Sequence, residues 1–160
     1  MMQHIPEILL WLFVINLGIA FGAGLYETRI ILPQWFIKLP ENVFQINSKA
    51  MNETDVGLKF WGMVTTVPLT LLTIANLVVA LQSNGQRHDW WLASSLIVLV
   101  ERLGTFTFFI PTIIKLMRAE TLTQSKISSL VSLWVRMNYV RNALTLLGWL
   151  TALRVLSLHL

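Results

Sequence analysis

The sequence lacks cysteine altogether. Disulfide frameworks, thiolate catalysis, Fe–S ligation and dithiol redox chemistry are therefore excluded. Charge is also scarce, since Asp, Glu, Lys and Arg make up 12% of the 160 residues, against about 25% in an average soluble protein. The net charge of +4 comes from scattered basic residues. Because a nucleic-acid surface needs a continuous basic stripe, no nucleic-acid partner is expected.

Long apolar runs dominate the sequence instead. Hydrophobic residues account for 55% of the chain, and the mean hydropathy is +0.65. A helix of ~20 apolar residues crosses a bilayer core of ~30 Å, and four runs reach that length, at about 7–32, 59–82, 90–118 and 129–157. We therefore predict one transmembrane domain over residues 1–160, an all-α antiparallel four-helix transmembrane bundle.

The distribution of Lys and Arg predicts the orientation of this bundle. The N-terminus lacks the positive segment and cleavage site of a signal peptide, so the first run is expected to remain as a helix. Basic residues are concentrated around the first and third connections, at Lys38, Lys49, Lys59, Lys115, Arg118 and Lys126. The opposite side carries Arg87 and Arg154. The positive-inside rule then places both termini outside, in a multi-pass protein of the cell inner membrane.

Each apolar run carries one polar or small face when its residues are placed about 100° apart. These four faces are predicted to meet inside the bundle. From the first run to the fourth they consist of Asn16, Ala20, Ala23 and Glu27; Trp61, Thr65, Thr73 and Asn76; Ser94, Glu101, Thr105 and Thr112; and Trp134, Asn138, Arg141, Asn142, Thr145 and Ala152.

Ionisable residues inside the runs need a partner or a use, because each costs at least ~2.5–3.5 kcal/mol at the bilayer centre. With a rise of about 1.5 Å per residue, Glu101 and Arg141 reach a similar depth in antiparallel helices. Glu27 reaches the depth of Arg136. We predict the ion pairs Glu101–Arg141 and Glu27–Arg136, and expect Arg29 and Arg102 to point away from the polar faces of their helices.

Two interpretations of these polar residues stay open. They can be structural, with ion pairs that lock the bundle and asparagines that join helices at ~0.6 kcal/mol each. Buried ion pairs are poor sources of net stability, however, which favours a further use. In a site for carbon-acid chemistry, Glu101 is the predicted general base and Arg141 holds the resulting oxyanion. The predicted substrate contacts are Asn138, Asn142, Trp134, Thr105, Asn16 and Glu27.

The balance of charges within the runs favours an anionic or enolate-like ligand. The four arginines expected inside the bundle outnumber the carboxylates of Glu27 and Glu101 by two, so an uncompensated guanidinium is expected in the interior. The arginines are Arg29, Arg102, Arg136 and Arg141.

The three histidines, His4, His88 and His159, fall on the predicted outer side. With Glu7 and Asp89 they offer a metal-binding alternative, but interfacial side chains are the preferred interpretation. No histidine lies within a predicted span, so an intramembrane haem held by paired histidines is not expected. We predict no metal and no bound cofactor.

Three passages resemble a known family of four-helix membrane proteins. They are Gly22-Ala-Gly-Leu-Tyr-Glu-Thr-Arg29 followed by Pro33-Gln-Trp35, then Phe106-Thr-Phe-Phe-Ile-Pro111, and Trp134-Val-Arg-Met-Asn-Tyr-Val-Arg141. Together they are similar to the DUF1772 group, which includes the fungal anthrone oxygenases. The resemblance implies an oxidoreductase that converts an anthrone to an anthraquinone with molecular oxygen as co-substrate. Because no histidine lies in the spans, the base implied here is Glu101 or Glu27.

Three functions therefore compete. The first is an enzyme that oxidises a lipophilic aromatic or quinone-like molecule within the bundle. The second is a transporter or binding subunit, which would need to form homo-oligomers through a surface such as that of Gly18 and Gly22. The third is a structural partner of another membrane complex. Membrane lipid is an expected partner in all three.

Overall fold

The protein is a helical bundle in the computed structural model, which describes residues 4–54, 57–118 and 122–158. Four long helices make up its body, and a short hairpin and a short helix lie between the first two. In chain order the elements are α1 (Ile5–Trp35), β1 (Phe36–Lys38), β2 (Phe44–Ile46), α2 (Ser48–Thr54), α3 (Phe60–Gln82), α4 (Gln86–Met117) and α5 (Gln124–Ser157). The all-α prediction is confirmed.

Three of the described helices, α1, α3 and α4, are long and apolar enough to cross a membrane. The fourth long helix, α5, has 34 residues, so at about 1.5 Å per residue it is longer than a bilayer core is thick. Its sequence is less apolar, because Arg136, Arg141 and Arg154 interrupt it. A helical, multi-pass membrane protein is consistent with these lengths and compositions.

Helices α1, α4 and α5 begin two to five residues before the predicted apolar runs. Their first turns contain proline or polar residues, which a search for apolar runs leaves out. Pro6 lies in the first turn of α1, where its missing N–H costs nothing. Gly85 precedes α4 with a φ of 74°, a conformation that favours glycine. The polar segments that follow, Gln86-Arg-His-Asp89 and Gln124-Ser-Lys126, are then the first turns of α4 and α5.

The four long helices are arranged in a ring. Helix α1 packs against α3 and α5, and α4 packs against the same two helices. One end of the ring is filled by apolar side chains, among them Leu10, Phe13, Leu17, Leu69 and Val98, all fully buried. In a soluble protein, burial of such side chains contributes about 25 cal/mol per Å² of apolar surface to the free energy of folding and is the main stabilising term. In lipid, close packing between helices has that role instead.

The polar faces predicted from the sequence do point into the ring. Ser94, Thr73, Asn76 and Asn138 are 0% exposed and Glu101 is 2% exposed. Some of these residues join helices, as the structural interpretation requires. The Nε1–H of Trp91 donates to Asn76 Oδ1 (3.0 Å), and Asn76 Nδ2 donates to the carbonyl of Leu9 (3.2 Å).

The first connection closes the other end of the ring. Strands β1 and β2 form an antiparallel hairpin with Phe36 opposite Ile46. The hairpin is fixed to α5, because the backbone N–H of Phe44 donates to Ser128 Oγ (3.1 Å) and Gln124 Nε2 donates to the carbonyl of Phe44 (2.7 Å). The sequence indicated only a polar connection here. Strands of three residues are too short to produce a recognisable alternation.

Candidate functional site

A cavity of ≈80 Å³ is lined by residues of all four long helices, α1, α3, α4 and α5. We call it the central cavity. Its walls are largely aromatic, with Trp35, Trp61, Phe109 and Trp134 among its lining residues. Phe109 and Trp134 pack edge to face with ring centroids 5.7 Å apart. The polar side chains at the cavity include Glu27, Arg141, Arg102 and Thr105. The cavity is therefore an apolar, aromatic space with a small set of charged groups at its wall.

Three π-helical segments converge on the central cavity. Glu27–Ile31 in α1 supplies Glu27. Gly57–Thr66, which begins just before α3 and continues into it, supplies Trp61 and Thr66. Thr105–Phe109 in α4 supplies Thr105 and Phe109. A π-helical turn is rare, disrupts the regular backbone ladder and is frequent at functional sites. Because such turns occur in three helices around one cavity, the irregular backbone is a feature of the cavity and not of a single helix.

Glu27 and Arg141 form a buried ion pair at the wall of the central cavity. Arg141 Nη2 donates to Glu27 Oε2 at 2.5 Å, with the two side chains 11% and 5% exposed. The guanidinium carbon of Arg141 also lies 4.9 Å from the ring centroid of Trp61 and 4.7 Å from that of Phe109. Cation–π attraction of this kind is strongest where water is excluded. Arg141 is thus held by a carboxylate and two aromatic rings.

A second buried ion pair joins adjacent residues of α4. Arg102 donates to Glu101 Oε2 through its Nε and Nη2 groups. The other carboxylate oxygen of Glu101 accepts a hydrogen bond from Thr105 Oγ1 at 3.1 Å. Arg102 is 6% exposed and lies at the central cavity, whereas Glu101 is not among the described lining residues. The arginine therefore stands between Glu101 and the cavity.

The predicted ion pairs were wrong. Glu101 pairs with Arg102 rather than with Arg141, and Glu27 pairs with Arg141 rather than with Arg136. A constant step of 100° per residue does not hold through the π-helical turns, and the earlier start of α5 changes the depth of its arginines. The long Arg102 side chain also folds back onto its neighbour, although its Cα lies off the polar face.

The interior charges are balanced, which corrects the expected excess of arginine. Arg29 and Arg136 are exposed, so they leave the described interior with two carboxylates and two guanidinium groups. Arg29 had been expected to point outward, and this is confirmed.

Three residues that line the central cavity each carry a buried N–H donor without a hydrogen-bond partner in the described part of the chain. These donors are Trp35 Nε1, Trp61 Nε1 and Arg102 Nη1. Trp35 is 5% exposed and Arg102 6% exposed, and leaving a buried donor unsatisfied costs about 1–3 kcal/mol. Native proteins keep few such groups, and each one needs an explanation. Of the nine buried side-chain atoms without a partner in the described residues, three therefore belong to residues around this one cavity.

The other predicted contact residues divide into two sets. Trp134 and Thr105 lie at the central cavity with Glu27 and Arg141. Asn138 and Asn142 instead join α5 to α1, since both amides donate to Thr28 Oγ1, at 3.0 and 3.1 Å. Asn16 lies elsewhere along α1.

The asparagines act as interhelical contacts. Asn142 Nδ2 also donates to the carbonyl of Gly24 (3.2 Å). Gly24 allows this approach, because a Cβ at that position would collide with Asn142 Oδ1. Asn16 Nδ2 donates to the carbonyl of Val64 (3.0 Å) and borders a separate apolar groove with Leu12 and Leu71. None of these three asparagines is among the described lining residues of the central cavity.

The histidines do not assemble in the described residues. His4 lies 3.8 Å from Glu7, and His88 Nδ1 lies 2.8 Å from the carbonyl oxygen of Ala80. His159 is outside the described residues. Within residues 4–54, 57–118 and 122–158, no group of three or more His, Asp or Glu side chains is placed to hold a metal ion.

Sequence reasoning missed several residues of the central cavity. Trp35 and Trp61 were not among the predicted site residues, and Arg102 was expected to point away from the polar face of its helix. The position of Trp61 on the polar face of its helix was the available signal for a site residue. No comparable signal existed for Trp35, whose place depends on the hairpin that follows it.

The described residues define a class, a helical protein with three candidate membrane-spanning helices. No protein-family model matches the chain, and no curated protein or solved structure does.

Proposed function

We propose that this protein binds a lipophilic aromatic molecule with hydrogen-bond-accepting oxygens in the central cavity and oxidises it with molecular oxygen. The observation that carries the proposal is the set of unpartnered donors, Trp35 Nε1, Trp61 Nε1 and Arg102 Nη1, at one aromatic cavity. A quinone, phenolate or enolate oxygen would satisfy them, while the rings of the ligand would lie against the aromatic walls. The resemblance to anthrone oxygenases supplies the reaction class.

The residues at the cavity suit the deprotonation of a carbon acid. In an anthrone, the base removes a proton from the CH₂ opposite the carbonyl, and the electron pair moves onto the oxygen. Glu27 is the proposed base, because it lies at the cavity while Glu101 lies behind Arg102. When Glu27 takes the proton it loses its charge as the ligand oxygen gains one. Arg141 then exchanges one anionic partner for another, so the buried charge stays balanced.

Oxidation follows from the electron-rich enolate. Its carbon gives electrons to O₂ and forms a C–O bond, and Glu27 returns the proton to give a hydroperoxide. Loss of water breaks the O–O bond and leaves the second carbonyl. One anthrone and one O₂ thus yield one anthraquinone and one water, so atoms and electrons balance without a further oxidant.

The second candidate function is binding without turnover. The ion pair of Glu27 with Arg141, at 2.5 Å, favours it, because the carboxylate is already engaged by a guanidinium. A binding or transport subunit would use the same cavity and the same unpartnered donors. The two functions therefore differ in chemistry and not in location.

Turnover of anthrone by the purified protein separates these candidates. We expect the detergent-solubilised protein at neutral pH to consume one O₂ for each anthraquinone formed, well above the rate in protein-free micelles. Oxygen uptake by electrode and anthraquinone by liquid chromatography measure the two quantities. Anthraquinone binding without oxygen uptake would support the binding subunit, and the absence of both would contradict the proposal.

The membrane arrangement that we infer is a four-helix transmembrane bundle in the cell inner membrane with both termini outside. Helix α5 would be its fourth span, since it packs against α1 and α4. The arginines of α5 divide between the interior and the surface, with Arg141 paired to Glu27 and Arg136 exposed. The excess of Lys and Arg around the first and third connections supports the orientation.

A further inference from the structure

A second space adjoins the central cavity on the side of α1 and α3. This lateral groove, of ≈460 Å³, is lined by apolar residues that include Gly22, Tyr26 and Phe60. Gly22 and Tyr26 are exposed on the outer face of α1. Glu27 and Trp61 line both spaces. The lateral groove and the central cavity thus share a wall that contains the proposed base and one unpartnered donor.

The central cavity alone is small for a polycyclic ligand. A buried water needs ~10–15 Å³ of such space, so ≈80 Å³ has room for roughly five to eight water-sized groups. A one-ring quinone has eight non-hydrogen atoms and matches this space, whereas a three-ring quinone has sixteen. The additional rings of a larger ligand need another space that is continuous with the first.

We propose that the lateral groove is the distal subsite of the same binding site and its opening toward the bilayer. A three-ring ligand would place its oxygen-bearing edge among the donors of the central cavity and its distal rings in the lateral groove, beside Trp61. A one-ring ligand would need the central cavity alone. The proposal rests on the proposed function, and it adds where the distal rings of a polycyclic ligand bind and that the ligand enters from the lipid phase.

Gly22 offers a way to fill the lateral groove without disturbing the fold. A Cβ at Gly22 would meet no atom within 4 Å, so the Gly22→Leu side chain would extend into open groove space. Gly104 is a matched control. It also lies in a helix, a Cβ there also meets no atom within 4 Å, and it lines neither space among the described residues. Both changes raise helix propensity equally.

The experiment measures binding of 1,4-benzoquinone and 9,10-anthraquinone by isothermal titration calorimetry in one detergent. We expect the wild type and Gly104→Leu to bind both quinones. Gly22→Leu is expected to weaken anthraquinone binding by about tenfold or more, while its affinity for benzoquinone stays within about twofold. Thermal unfolding by circular dichroism checks that each variant is folded. If Gly22→Leu does not fold, Ala23→Leu on the same wall of the groove repeats the test.

Each other outcome overturns the proposal in a distinguishable way. A Gly22→Leu variant that binds anthraquinone as the wild type does would remove the distal subsite and leave the proposed function intact. Equal losses for both quinones, or an equal loss in Gly104→Leu, would show that the effect does not arise from filling the groove. A wild type that binds neither quinone would remove the proposed function together with the subsite.

Discussion

Glu27→Gln should lower the turnover number for anthrone oxidation by about 10²–10⁴-fold, the usual contribution of a general base. The amide keeps the size of the side chain and one hydrogen-bond acceptor for Arg141, but it cannot take the proton from the ligand. We expect anthraquinone binding to persist, because the donors of Trp35, Trp61 and Arg102 are unchanged. Oxygen uptake and calorimetry on the same preparation measure turnover and binding separately.

Glu101→Gln is the matched control for this variant. It removes the charge of an equally buried carboxylate that also pairs with an arginine, at 2% exposure against 4% for Glu27. Since Glu101 lies behind Arg102, its turnover number should stay within about tenfold of the wild type, short of a general-base effect. If Glu101→Gln were the inactive variant and Glu27→Gln the active one, the base would be Glu101, as the sequence alone predicted.

Arg141→Met should lower the free energy of unfolding by ~3–5 kcal/mol. The substitution leaves the Glu27 carboxylate buried without its cationic partner, and it also removes the guanidinium from between the rings of Trp61 and Phe109. The measurement is a thermal or denaturant unfolding curve in detergent, followed by circular dichroism. Such an effect would be large against typical total stabilities of about 5–15 kcal/mol.

Two further variants test the cause of this loss. Arg136→Met changes an exposed arginine of the same helix and should shift stability by no more than about 0.5 kcal/mol. The double variant Glu27→Gln with Arg141→Met removes both charges, so it should recover part of the stability that Arg141→Met loses. If Arg141→Met were as mild as Arg136→Met, the ion pair would contribute nothing and our description of the buried site would fail.

The extent to which the sequence predicted this fold depends on how regular each segment is. The apolar runs predicted the long helices. In a regular helix of about 3.6 residues per turn, the separation of two residues in the sequence also gives the angle between their side chains. The polar faces also turned inward as expected, including Asn76 and Asn138 at 0% exposure. The hairpin Phe36–Ile46 was not predictable in the same way, since its two short strands are held by contacts with α5.

The sequence predicted which charged residues are buried in the bundle, but not which residues they pair with. Glu27, Glu101 and Arg141 were identified because charge inside an apolar run is costly. Their pairing depended on the π-helical segments around the central cavity, whose wider turns a regular helical pattern does not contain. Arg102 shows a second limit. Its long side chain reaches back to Glu101, so the direction of its Cα–Cβ bond does not give the position of its guanidinium.

The measurement that tests the central claim most directly compares two ligands of the same ring shape. Anthraquinone carries two carbonyl oxygens and anthracene carries none, so only the quinone can satisfy the unpartnered donors of Trp35, Trp61 and Arg102. We predict that calorimetry in one detergent will show anthraquinone binding at least about tenfold more tightly than anthracene. Trp35→Phe, which keeps an aromatic ring and removes one donor, should reduce that ratio. Equal binding of the two ligands, or binding of neither, would contradict a site for oxygen-bearing aromatic molecules.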